Sequence, residues 1–212
     1  MTMNRIKTIF TFLTVLFLCS ALHGQDSRTL DTRVADLLAR MPADNNELTS
    51  RLMEDMYSLG VEGRDIICAM IVPAGTGDDT AARYAVASLT AYLSGDGGDE
   101  RKREWEQQCI RFMRAADARE VSSFFMTQLN LTGSDAAVEV LKEYAGGSEL
   151  CDDAVMALQA IGTGAAIAAL SDVLSGARCP CAAQVMVALS ESHYAGAAGS
   201  YIEWSRKGTT AE

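Results

Sequence analysis

Cysteine and histidine, the side chains that bind zinc and exchange disulfides, come closest together near the end of the chain. Cys179-Pro180-Cys181 is followed twelve residues later by His193. These are three potential ligands, whereas structural zinc sites have four and usually show two paired knuckles. A redox-active pair normally lies at a helix amino terminus in a thioredoxin-like fold. We therefore predict no metal and no cofactor, and expect a turn in which Pro180 opens the next helix.

A second stretch whose residues could bind a ligand is Gly75–Arg83, with the sequence GTGDDTAAR. Its two adjacent carboxylates are too few for Ca²⁺, which takes six to eight oxygen ligands, and the EF-hand spacing is missing. Its glycines are not followed by the lysine and hydroxyl residue of a P-loop. We expect Asp78 or Asp79 to cap the following helix instead. Arg64 and Arg83 are the predicted ion-pair partners, and these four residues are our candidate binding residues.

Five cysteines follow residue 24, namely Cys68, Cys109, Cys151, Cys179 and Cys181. Cys151 and Cys181 are 30 residues apart, which allows a disulfide in an oxidising compartment. However, equivalent positions in stacked helical repeats are usually about 10 Å apart, beyond the usual Cα separation of a disulfide. We therefore expect these cysteines to be mainly buried thiols that pack as small apolar side chains.

The elements that position these residues are predicted to be helices. The chain has three prolines, abundant alanine and leucine, and no long run of alternating apolar and polar residues. In its central segment, Cys151–Leu174, apolar residues recur at helical spacing on both sides of Gly162-Thr163-Gly164. Gly162 suits the left-handed end of one helix, and Thr163 suits the cap of the next. This segment is therefore predicted to be a helical hairpin.

Versions of this hairpin recur on both sides, at shifts of about 29 and 31 residues. A period near 30 with two helices per unit is typical of an α-solenoid. The pattern A-V-x-A-L-x-x-I-G followed by A-A-I-x-A-L resembles the alanine-rich bacterial HEAT-type repeat, over about Ala118 to Arg206. We predict an all-α fold, a right-handed α-solenoid of about five antiparallel hairpins (HEAT-like, armadillo-like).

A second resemblance lies earlier in the chain, over Gly60–Leu93. This segment is similar to helical amino-terminal regions of exported proteins from Bacteroidetes-type bacteria, some of which carry a 3-keto-disaccharide hydrolase domain. The β-rich signature of that domain is absent from this sequence. The resemblance therefore implies an alternative function, the helical accessory region of an exported carbohydrate-acting enzyme whose catalytic domain is not in this chain.

Residues 1–24 are predicted to be a cleavable signal peptide. Two basic residues precede a mainly apolar run, Ile9–Leu22, which is too short to span a membrane as a helix. Cys19 lacks the small preceding residue of a lipoprotein signal, so we favour simple export to the periplasm or beyond. The predicted organisation is a signal peptide over 1–24, helical hairpins over 25–116 and HEAT-like repeats over 117–212, with the last two forming one continuous solenoid.

Between residues 30 and 120, each helix is predicted from the sequence of its own segment. Apolar spacing predicts helices over 30–41, 48–59, 64–72 and 80–93, and one that begins at Asp99. Tyr84, Ala87 and Ala91 are the inward candidates of the fourth of these. Asp117–Glu120 resembles a capping box that opens the following helix. The basic run 101–103 is expected to lie on a solvated helix face.

The net charge of −10 makes nucleic acid an improbable partner, because an acidic surface repels phosphates. No histidine or cysteine lies within a catalytic signature, so we predict no catalytic residues and no enzymatic activity. The predicted function is a non-catalytic exported scaffold that contacts a protein partner, or further domains of a longer chain, with no membrane insertion after signal cleavage. Tyr201 and Trp204 are the predicted docking residues, since they fall where a next repeat would pack.

Overall fold

The chain is all-α. A computed structural model describes residues 28–95, 98–147, 149–176 and 179–192, together with residues 199, 202, 205 and 206. In these parts of the chain there are ten α-helices and no β-strand. The helices are α1 Leu30–Leu38, α2 Asn46–Ser58, α3 Gly60–Ala69, α4 Thr80–Gly95, α5 Asp99–Ala115, α6 Arg119–Thr132, α7 Asp135–Ala145, α8 Cys151–Ile161, α9 Gly164–Ser175 and α10 Ala182–Glu191. No helix in the described ranges is both long enough and apolar enough to cross a bilayer.

Several helices begin at a side chain that accepts a hydrogen bond from the first turn. Asn45 caps α2 by accepting from the Leu48 amide at 2.9 Å. Ser134 caps α7. The central hairpin is confirmed, because α8 ends at Gly162 with a φ of 62° and Thr163 caps α9. The capping box predicted over Asp117–Glu120 is wrong, since α6 starts at Arg119 without a side-chain cap.

The helices contact each other in a regular order. Each helix packs against the next but one along the chain, and consecutive helices also pack against each other, apart from α6 and α7. Helices α2, α4, α6, α8 and α10 therefore form one series of neighbours, which we call the even row. Helices α1, α3, α5, α7 and α9 form a second series, the odd row.

One apolar core runs between the two rows. It extends from Val34 in α1 to Leu189 in α10 without interruption. Trp105 of α5 is its largest fully buried side chain, and the indole Nε1 donates to the hydroxyl of Thr90 in α4 at 2.9 Å. This bond satisfies the one polar atom that the tryptophan carries into the core.

Several helix boundaries differ from the prediction. α3 begins at Gly60 rather than Arg64, because its first turn has two glycines and only one apolar residue, the exposed Val61. Gly60 has a φ of 75°, which lets α2 and α3 follow each other without a loop. α1 ends at Leu38, three residues before Met41. α10 begins at Ala182, two residues after Pro180.

Of the three inward candidates of α4, two are wrong, and the third, Tyr84, is half-buried and accepts a hydrogen bond from the Ala43 amide at 3.3 Å. Ala87 and Ala91 are exposed, whereas Val86, Leu89 and Leu93 are buried. Alanine occurs on every side of this helix, so its small side chains do not define a face. The larger branched side chains do, because each removes more apolar surface from water.

Cys151 and Cys181 form a disulfide, with their Cα atoms 6.0 Å apart. The expectation that repeat spacing would keep them apart is therefore wrong. The spacing of about 10 Å applies to the axes of neighbouring helices. Cys181 lies just before α10, outside the helix, and Cys151 is the first residue of α8. Both cysteines are thus at helix ends, where the chain can approach its neighbour more closely than the axes do.

Candidate functional site

The Gly75–Arg83 stretch folds into a clamp at the start of α4. Asp79 accepts hydrogen bonds from the Val72 amide at 2.9 Å and from Arg83 Nε at 2.8 Å. Arg83 in turn donates to the Val72 carbonyl at 2.8 Å. Burial raises the pKa of Asp79, but the bonds from Arg83 and Val72 outweigh it and leave the pKa below its usual value. The predicted Asp79–Arg83 pair is confirmed, and it joins the loop to the helix.

Asp78 lies beside this clamp and points to solvent. It accepts a hydrogen bond from the Thr80 amide at 3.1 Å, as expected of a residue that caps α4. Bonds from Thr80 lower the pKa of Asp78. Both aspartates border a cavity of about 340 Å³ that is otherwise lined by apolar side chains and glycine. In the described ranges, no three His, Cys, Asp or Glu side chains come together as a metal site.

Arg64 is not part of this clamp, which corrects the prediction. Its side chain is only 1% exposed and lies among α2, α3 and α5. Nε donates to Gln108 Oε1 at 3.0 Å, Nη1 donates to the Tyr57 carbonyl at 2.9 Å, and Nη2 pairs with Glu104. The guanidinium also lies over the Tyr57 ring, 4.4 Å from its centroid. Its partners are thus mainly on a helix that follows 40 or more residues later in the chain.

Further bonds extend the Arg64 contacts into a network. Tyr57 donates from its hydroxyl to Glu104 Oε2 at 2.5 Å. Gln108 donates to the carbonyl of Val61 and to Asp65 in α3. Burial and the bond to Glu104 raise the pKa of Tyr57. The bonds from Tyr57 and Arg64 outweigh burial and hold the pKa of Glu104 below its usual value.

Arg101 connects a second group of residues to this network. It donates to both carboxylate oxygens of Glu54 in α2, at 2.9 and 3.1 Å, and it lies over the Tyr57 ring at 4.0 Å. Tyr92 of α4 donates to the same glutamate. The bonds from Arg101 and Tyr92 lower the pKa of Glu54, and the bond to Glu54 raises the pKa of Tyr92. Arg101 is therefore an inter-helix ion-pair partner rather than a purely solvated residue.

We call these residues the polar network, and its chemistry is that of a structural joint. They are Glu54, Tyr57, Arg64, Asp65, Tyr92, Arg101, Glu104 and Gln108. At neutral pH the two glutamates are ionised and the two tyrosines are protonated, because the pKa values shift away from 7 in both cases. A general acid or base works best with a pKa near the operating pH. The network joins α2, α3, α4 and α5.

A buried carboxylate joins α5 to α7. Glu106 is fully buried and accepts from the Ser134 amide at 2.6 Å and from the Ser134 hydroxyl. The same hydroxyl accepts from the Ala136 amide and caps α7. Glu106 therefore fixes the start of α7 against α5. The sequence carries no signal for this contact, since an acidic residue inside a polar helix usually faces solvent.

The Cys179-Pro180-Cys181 stretch differs from a pair of free thiols. Cys181 belongs to the disulfide, and Cys179 is free and half-buried. Burial raises the pKa of the Cys179 thiol, which lowers its nucleophilicity at neutral pH. Burial likewise raises the pKa of Cys68, to about 12. His193, Tyr201, Trp204 and the predicted signal peptide lie outside the described residues.

Comparison of the chain with protein-family models, with curated proteins and with solved structures finds no match.

Proposed function

We propose that the chain is an α-solenoid of about five antiparallel helical hairpins. The pattern of helix contacts supports this, because each helix touches only its near neighbours along the chain, as in repeat proteins whose units stack. The sequence periods near 30 residues support it independently. The equivalence of α8 and α10 in this scheme matches the disulfide, which joins the first residue of α8 to the residue just before α10.

We further propose that it acts as a non-catalytic scaffold that binds a protein partner or another domain. The observation that carries this proposal is the state of the charged side chains in the polar network. Its arginines and carboxylates bind one another, and its tyrosines are held protonated, so they are committed to joining helices. Two long rows of helices then leave extended faces for contacts with a partner.

The proposed site of action is outside the cytoplasm. A disulfide between consecutive even-row helices supports an oxidising compartment, since cytosolic thiols are kept reduced. The amino-terminal sequence features described above point the same way.

The test is affinity purification from the organism that makes the protein. The full chain carries a tag, is expressed at its native level, and is cross-linked briefly before extraction. We expect one identified partner at fixed stoichiometry, recovered again when the partner is tagged instead. A tagged protein of similar size and charge serves as the control. Purification of the chain alone, with no reciprocal partner, would refute the scaffold. A carbohydrate-acting enzyme as the partner would favour the accessory role.

A further inference from the structure

Three of the six large apolar side chains that are exposed in the described residues lie on the even row; the others are Val61 in α3, Met70 just after α3, and Ile202. Leu131, Met156 and Val187 are 53%, 50% and 48% exposed, which is unusual for residues of their size. They lie in α6, α8 and α10, three successive helices of this row. Single exposed apolar residues need no explanation, but a contiguous set marks an interaction surface.

Met156 and Val187 hold matching positions in the repeat, each two residues before a buried leucine, whereas Leu131 lies two residues after its buried leucine. Leu89, Leu129, Leu158 and Leu189 are fully buried, one in each of α4, α6, α8 and α10. Two residues before and two residues after each leucine, the side chain faces the opposite side of its helix and is exposed. Seven of these eight positions are uncharged, and we call them the even-row stripe. They are Ala87, Ala91, Thr127, Leu131, Met156, Ala160 and Val187.

The odd row has the opposite character. Its neighbouring helices are joined by ion pairs at the surface. These are Arg111–Asp65 at 2.7 Å, Arg114–Glu143 at 3.4 Å and Lys142–Asp172 at 2.6 Å. On the even row, by contrast, Glu191 is the one charged residue among the eight equivalent exposed positions. The two faces of the molecule therefore offer different surfaces to a partner.

Charges at the edges of the stripe are mainly acidic. Asp152 and Asp153 lie in the first turn of α8, one helical turn from Met156, and Glu120 lies in the first turn of α6. Glu191 closes the other end of α10 and bonds to Gln159. Arg119, at the start of α6, carries a positive charge at this edge. An apolar stripe with this edge complements a segment that is apolar on one side and basic on the other.

The spacing of the stripe selects the conformation of that segment. Neighbouring helix axes are about 8–10 Å apart, so the matching residues Met156 and Val187 present apolar anchors at about that interval, and Leu131 is displaced along its own helix by about one turn. In a partner helix, residues i and i+7 are about 10 Å apart and lie on the same face. In an extended strand, residues about 10 Å apart are three positions apart and point to opposite faces.

We propose that the even-row stripe is a docking surface for a basic amphipathic helix of a partner protein. The partner's apolar face packs on Leu131, Met156 and Val187, and its lysines or arginines reach Asp152 and Asp153. This inference rests on the proposed scaffold function and adds the surface and the class of partner.

The test uses the full chain and a synthetic 18-residue helix, leucine on one face and lysine on the other, in fluorescence anisotropy. Such a peptide is about 27 Å long, enough to cross three helices of the row. We expect micromolar binding, weakened at least tenfold by Met156→Lys. Ala168→Lys is the matched control, because Ala168 is exposed in α9 of the odd row, and it should change binding less than twofold. Circular dichroism checks that both variants fold.

Other outcomes contradict the proposal in distinct ways. Equal binding of a glutamate version or a scrambled version of the peptide would show that the stripe does not select a basic helix. Equal weakening by both lysine variants would indicate charge repulsion without a site. Self-association abolished by Met156→Lys would show that a second copy covers the stripe. Recovery of the native partner by the Met156→Lys variant would leave the scaffold standing and move its docking surface elsewhere.

Discussion

Replacing Glu104 with glutamine is the sharpest test of the polar network. The change keeps the shape of the side chain but removes the charge opposite Arg64, which is 1% exposed. Removal of one partner of a fully buried pair costs about 3–5 kcal/mol, because the remaining charge is left unbalanced. The Glu104 side chain is itself 40% exposed, so water screens part of the interaction. We therefore expect the free energy of unfolding to fall by about 2 kcal/mol, at the lower end of a charged hydrogen bond.

Urea unfolding measures this loss. With a slope of about 2 kcal/mol per molar urea, the midpoint of the variant should fall by about 1 M while the slope stays constant. Asp172→Asn is the control, because its ion pair with Lys142 also joins two helices but lies at the surface. Its midpoint should stay within the error of the measurement. If the two variants behave alike, the burial of Arg64 does not carry the stability we assign to it.

The pH dependence gives a second check with a definite sign. The folded pKa of Glu104 lies below its ordinary value of 4.5. The stabilisation it provides is therefore present above that value and is lost as the pH falls through the folded pKa. The difference in stability between the native chain and Glu104→Gln should shrink steadily from pH 5 downward. A difference that persists after the carboxyl is protonated would refute the electrostatic explanation.

Two further predictions concern the carboxyl-terminal repeats. Gly162→Ala should lower stability by about 1 kcal/mol, because φ is 62° there, whereas Gly164→Ala, in open space within a helix, should be neutral or stabilising in the same thermal unfolding assay. Equal effects would contradict the left-handed cap. Reduction of the Cys151–Cys181 disulfide should cost about 3.5 kcal/mol for a loop of 30 residues. Unfolding with and without reductant measures this cost, and an unchanged midpoint would contradict it.

Local features of the fold could be predicted from the sequence. The hairpin of α8 and α9 depends on residues within one turn of each other, namely Gly162 and Thr163, and both behave as predicted. The face of α4 could not be read in the same way, because alanine surrounds the helix. Only its packing against α2 and α6 decides that Val86 and Leu89 are buried and Ala87 is exposed.

In the candidate site, too, a contact between residues close in sequence could be predicted, and a contact between distant residues could not. The Asp79–Arg83 pair is four residues apart on one helix turn and was predicted. Arg64 and Glu104 are 40 residues apart, and nothing in either local sequence indicates that α3 and α5 face each other. The disulfide was misjudged for a related reason. Repeat spacing fixes the separation of helix axes, but the position of Cys181 outside its helix depends on the path of the connecting chain.

The disulfide also decides how the molecule responds to mechanical force. Cys151 and Cys181 are 30 positions apart, and the segment between them holds α8 beyond its first residue and all of α9. When the chain is pulled from its two ends, load passes directly through the sulfur bridge, and those residues do not extend. The contour length released on full unfolding is then shorter by roughly 100 Å than in the reduced chain. When a docked partner is pulled, the force would reach α10 through the disulfide, a covalent bond, rather than through α9.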